Sequence, residues 1–281
     1  MTTLRTPIAE VPSSRQLEGG GFVVHRPFPT PRVPMVDPFL LIDHMGPADY
    51  APGEAVGAPD HPHRGFETVT YMLEGAFEHE DSAGHRGRIG PGDVQWMTAG
   101  AGVVHSEMPS AAIRRDGGRV EGFQIWVNLP ASDKMVQPRY QEYTAEQIPT
   151  VDLPDGVEAR VIAGSVNGVR GAVETHTPMT YLHVFLPAGA KAQFEVPSSQ
   201  NAIVFGVHGA GADVLTVYDH DGDTVEVANS SDEERDVLVL AGEPLGEPVA
   251  RYGPFVMSTP EEIEQAISDF QSGHFGEIAR T

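Results

Sequence analysis

Apolar residues along this chain come in short runs, many alternating with polar ones, and each run is closed by glycine, proline or aspartate. Side chains of an extended backbone point alternately to opposite faces, so such runs read as β-strands. FETVTYMLEG (66–75), AFEHED (76–81), DVQWMTA (93–99) and EGFQIWVNLP (121–130) follow one another closely. The polar stretch PASDKMVQPRYQEYTAEQIPTVDLPDG (130–156) reads as a connector, with a single helical turn after Thr144. A second series then runs EARVIAG, GAVETH, MTYLHVFLP, AKAQFEV, NAIVFGVHG, GADVLTVYD, DTVEVAN and RDVLVLAG. The pattern predicts an all-β chain in two tandem segments, 1–143 and 144–281.

Ahead of the first series, residues 1–20 are polar and weakly patterned, and read as a loosely held arm. GFVVHRPFPTPRVPMVDPFLLIDHMGPADY (21–50) is broken by prolines, which donate no hydrogen bond to a β-ladder, so it reads as a wrapped edge or strand–turn units. A helix is predicted only at the C-terminal end. Thr259 caps it, Pro260 suits its first position and Glu262 falls at the capping-box offset. Ile263, Ala266, Ile267 and Phe270 form one apolar stripe, and Gly273 stops the run.

Composition adds exclusions. With 281 residues, 40% of them hydrophobic, the chain has enough apolar surface for real cores, and 31 Gly with 24 Pro fit many turns. A formal charge of -22 sets the chain against phosphate backbones and anionic lipid, so neither direct nucleic-acid binding nor membrane association is expected. The absence of cysteine removes disulfides, thiol nucleophiles and thiolate ligands together, and leaves any metal to nitrogen and oxygen donors. The N-terminal residues contain no apolar signal region, and a soluble, cytoplasmic protein is expected.

The chemistry concentrates in histidine. His61 and His63 are separated by Pro62 at the start of a strand, so both imidazoles point to one face, and continued parity puts Glu67, Val69 and Tyr71 with them. Forty-two residues after His63 comes a second pair with the same spacing, His105 and Glu107, behind the glycine-rich bend WMTAGAGVV. Two such pairs on facing strands supply three imidazoles and a carboxylate to one point, a set suited to a divalent first-row metal with positions left open for ligand. Against this, H-x-H pairs arise readily by chance, and most histidines are surface or hydrogen-bonded residues. The second segment's His176, His183, His208 and His220 form no such pair and read as exposed or structural. Trp96, Met97, Phe123, Ile125 and Trp126 read as core first and as cavity lining second, while Gln124, on the opposite parity from Phe123, is expected to face a cavity.

HPHRGFETVTYMLEG, GHRGRIGPGDVQWMTAGAGVVHSEMP, GFQIWVNLP and AGEPLGEPVARYGPFVM together resemble the pirin family of the cupin superfamily over most of the chain. The resemblance implies two tandem cupin β-barrels of jelly-roll type with a short C-terminal helix, and metal in the first barrel alone. Carried over by position, the family's ligands fall on His61, His63, His105 and Glu107, and the metal expected is Fe(II). Glu67 sits where other cupins place a ligand, and is expected here to hydrogen-bond, with direct ligation the alternative. The activity implied is that of a quercetinase, a flavonol 2,3-dioxygenase using O2, with Glu107 accepting the substrate's hydroxyl proton. The alternative is an iron-dependent redox sensor that binds a metabolic enzyme or a transcription-related partner protein. A monomer is expected. GEPLGEPV reads as a fixed turn carrying no catalytic side chain.

Overall fold

The computed structural model describes residues 2–280; Met1 and Thr281, the ends of the two expected segments, lie outside the described residues. The chain is an all-β, two-barrel protein with a short C-terminal helix, and the strands expected from alternation form with small shifts of boundary. The exception is GAVETH, where Val173 makes only an isolated bridge to Ala163. The predicted turn after Thr144 is a 3-10 turn at Ala145–Gln147. A helix at Ala111–Asp116, capped by Ser110, is too short to leave a periodic signature.

The two compact units are not contiguous halves of the chain. One holds the residues up to Ser14, Pro27–Pro38 and Glu146–Leu245; the other holds Arg15–Arg26, Phe39–Ala145 and the residues from Gly246 on. The N-terminal arm is not loose. Pro7–Pro12 pairs antiparallel with Val214–Tyr218 and covers what would otherwise be an open sheet edge. Arg5, 3% exposed, donates to the carbonyls of Gly222, Gln200 and Pro197, which fastens the start of the arm. The interior of this unit is packed with apolar side chains such as Val161, Leu182, Phe194, Val237 and Val239.

The other unit is built from two large sheets and a two-stranded ladder of Ala250–Tyr252 with Phe255–Met257. The larger runs in space Arg139–Tyr143, Val94–Thr98, Phe66–Glu74, Gly118–Asn128, Phe39–Tyr50, Phe22–Phe28, Ser14–Glu18. The smaller runs Ala58–His63, Val103–Pro109, Phe77–Asp81, Arg86–Ile89. The chain passes from the smaller sheet to the larger at Gly65, whose φ of 86° is readily adopted only by glycine. That switch breaks the expected parity. Thr70 turns its hydroxyl to Glu107, whereas Glu67, 1% exposed, accepts a hydrogen bond from Thr98 at 2.7 Å. Buried Lys134 donates to Gly65 O at 2.8 Å, Asn128 Oδ1 at 2.7 Å and Val256 O at 3.2 Å, holding the switch to the C-terminal segment.

Candidate metal centre

The strand carrying H-x-H, Ala58–His63, lies antiparallel beside Val103–Pro109, with His61 directly across the ladder from His105. The pairs are therefore neighbours within one sheet and do not face each other across the barrel. Register slips between His105 and Glu107, leaving Glu107 opposite Ala58. The imidazole ring centres are 4.4 Å apart for His61 and His105, 4.7 Å for His61 and His63, and 4.9 Å for His63 and His105. One nitrogen from each lies within 4.8 Å of the others.

Two proline carbonyls set the histidine tautomers. His61 Nδ1 is 2.8 Å from Pro59 O, and His63 Nδ1 is 3.3 Å from Pro254 O. A carbonyl only accepts, so both Nδ1 atoms carry hydrogen and both Nε2 atoms are left with a lone pair, the arrangement that ligation by Nε2 requires. His105 is 1% exposed, and among the described residues neither ring nitrogen has a hydrogen-bond partner. A buried polar atom without a partner is costly, and a cation among the three rings would satisfy one of them. Burial, then the neighbouring imidazoles, hold His63 and His105 well below the ordinary histidine pKa, in the neutral form that binds metal. The residues present fit a divalent metal.

Glu107 approaches the same group, with Oε2 4.0 Å from His105 Nε2. Its other oxygen is 2.9 Å from Thr70 Oγ1, which is also 3.1 Å from Gln124 Oε1. A hydroxyl has one proton, so Thr70 donates to one of these at a time. His61, His63, Glu107 and Gln124 line a cavity of about 560 Å³, with Phe22, Met45, Phe77 and Trp126 among its apolar walls. Of the five strand residues weighed as core or cavity lining, Trp126 lines it, while Trp96, Met97, Phe123 and Ile125 are buried in the core. A larger cleft of about 1070 Å³, on the other unit near Arg170, Glu174 and Gln200, has no imidazole in its lining.

Sequence reasoning did not single out Thr70, Arg26 or Arg251. Arg26 meets Asp43 through two bonds of 2.6 and 2.5 Å and Glu18 at 2.7 Å. Arg251 follows the GEPLGEPV turn and lies over the ring of Trp126 at 4.6 Å. Nothing local in the sequence marks them; only the signature at residues 241–257 brings Arg251 to attention. In the other unit, His183 Nε2 meets Asp236 at 2.8 Å and His208 Nδ1 meets it at 2.9 Å, so these two histidines share a carboxylate.

The pirin family model matches residues 21–127, and the model of the pirin C-terminal cupin domain matches residues 181–276. A pirin-like protein of Solanum lycopersicum is 43% identical over 282 residues, spanning 97% of this chain and 93% of its own. Pirin of Homo sapiens is 43% identical over 282 residues, spanning 96% and 93%. Among solved structures, quercetin 2,3-dioxygenase from Acinetobacter baumannii is similar with a TM-score of 0.92 at 37% identity, covering 99% of this chain and 100% of that one.

Proposed function

Since this chain belongs to the pirin family, we propose that it is a metal-dependent dioxygenase of the quercetinase kind, with His61, His63, His105 and Glu107 holding Fe(II). The observation that carries the reading is the buried His105, both nitrogens unpartnered, beside two imidazoles whose tautomers are already set. The metal supplies a Lewis acid for the hydroxyl and ketone oxygens of a flavonol and a redox centre for O2. Both oxygen atoms of O2 enter the opened ring, and one ring carbon leaves as carbon monoxide.

The chain's own groups do the rest. Glu107 accepts the flavonol hydroxyl proton, while Thr70 steadies the carboxylate oxygen it faces. The carbonyls of Pro59 and Pro254 keep the imidazoles oriented. Phe22, Met45, Phe77 and Trp126 present apolar walls to the substrate's rings and exclude water.

Metal analysis combined with O2 consumption on a flavonol panel tests this. Iron near one per chain with flavonol-dependent O2 uptake is expected, and Glu107→Ala abolishes that uptake. Bound iron without turnover on any flavonol overturns the oxygenase and favours the family's other expected role, a redox-sensing binder of a partner protein. Absence of stoichiometric metal overturns both.

A further inference from the structure

The cavity over the candidate metal centre has at its rim a cation, Arg251, that makes no direct ion pair among the described residues, although Asp43 and Glu18 attract it from farther away. Glu18, Asp43, Asp60 and Glu107 are the acids that line it. Glu18 and Asp43 are engaged with Arg26, and Asp60 pairs with Arg280. Arg251 lines the same cavity, yet no carboxylate lies within 4.0 Å of it among the described residues, and its one hydrogen bond is a long 3.4 Å contact to Leu40 O. Its guanidinium lies 4.6 Å over the ring of Trp126, and that ring in turn meets the His63 imidazole edge-on at 5.3 Å. One indole thus separates the metal-facing histidine from an exposed, planar cation.

We infer that Arg251 selects flavonol-like ligands carrying a carboxylate on the ring remote from the oxygens that meet the metal. This rests on the proposed reading of the site. A ligand chelating at the His61–His63–His105 end extends along Trp126 and brings its far ring to the guanidinium. The guanidinium's fixed fork of N–H donors matches a carboxylate in two parallel bonds, and stacking on Trp126 limits the freedom lost when they form. The charge balance agrees. A chain of net charge -22 repels anions at long range, so an anionic ligand needs a local cation at the entrance. Arg26, held by two carboxylates, does not serve, whereas Arg251 does.

The test compares 3-hydroxyflavone-4′-carboxylate with its methyl ester, which share the chelating head and differ in the remote charge. Binding to zinc-loaded protein is followed by the absorbance shift of the flavonol, with no turnover to complicate it. The wild type is expected to bind the acid about tenfold more tightly than the ester, as a charge-assisted pair gives. Arg251→Gln brings the two affinities together at undiminished zinc content, and Arg251→Lys keeps part of the preference. Equal affinities in the wild type, or an unchanged ratio in Arg251→Gln, overturn the inference and leave Arg251 as packing on Trp126. If neither compound perturbs the spectrum of the zinc-loaded protein, the flavonol reading of the site falls, and this inference with it.

Discussion

At the scale of single residues, chemical identity and environment act together. Histidine spacing was legible because alternation in a strand is local: His61 and His63 share a face whatever the rest of the chain does. Thr70 was not legible, because its orientation depends on a sheet switch five residues before it. Its hydroxyl, 2.9 Å from Glu107 Oε1, gives it a measurable role. Thr70→Val keeps the side chain's shape and removes the hydrogen bond. Under the proposed function, turnover is expected to fall about tenfold with metal content retained. Oxygen uptake and metal analysis on the same sample check this, and turnover equal to wild type would show that Glu107 needs no partner.

Elements impose the next constraint. The H-x-H strand and the one that follows it belong to different sheets, and Gly65 between them has a left-handed backbone. A methyl group added there collides with the carbonyl of Val256, and Lys134 already occupies the neighbouring carbonyls. Gly65→Ala is therefore expected to cost about 2 kcal/mol or more in denaturant unfolding and to lower metal occupancy, since it displaces the segment carrying His63. The C-terminal helix, Pro260–Gln271, was legible to its first hydrogen bonds: Glu262 N donates to Thr259 Oγ1 at 3.2 Å, and Glu262 Oε2 accepts from Thr259 N at 3.2 Å. What it packs against was not. Arg64 reaches Asp269 on this helix at 2.8 Å and pulls its pKa down to about 2.

Across the whole molecule, Asp236, His183 and Lys134 give stability a pH dependence of the same sign, while buried Asp43, raised by burial, opposes them in acid. Burial raises the Asp236 pKa, but hydrogen bonds from His183 and His208 outweigh it, and the carboxyl falls below its ordinary range. A depressed carboxyl stabilises above its unfolded pKa of about 3.9, and that contribution is lost as pH falls through the folded value. His183 is lowered by burial against the pull of Asp236, so below pH 6.5 the unfolded chain takes up a proton that the folded one resists. Lys134, pushed down to about 8 by burial, acts alike between pH 8 and 10.5. In each window the unfolded state binds more protons, and stability rises with pH. Urea unfolding across pH 3 to 10 is expected to show this slope. Asp236→Asn is expected to cost about 2 kcal/mol at pH 7 and to flatten the acid limb. A limb as steep as wild type would show that the loss arises elsewhere.

The sequence by itself determined what depends on neighbours along the chain. Alternation made strands, Thr259 and Glu262 capped a helix, and the two short motifs named His61, His63, His105 and Glu107, because backbone sterics and side-chain direction act over a few residues. Tertiary structure decided which strands share a sheet, how the units divide the chain, and what surrounds the histidines. Pro254, whose carbonyl orients His63, lies 191 residues beyond it, and Arg251 is nearly as distant. Such contacts are settled by burying apolar faces and satisfying backbone groups across the whole fold, and no local pattern carries that information.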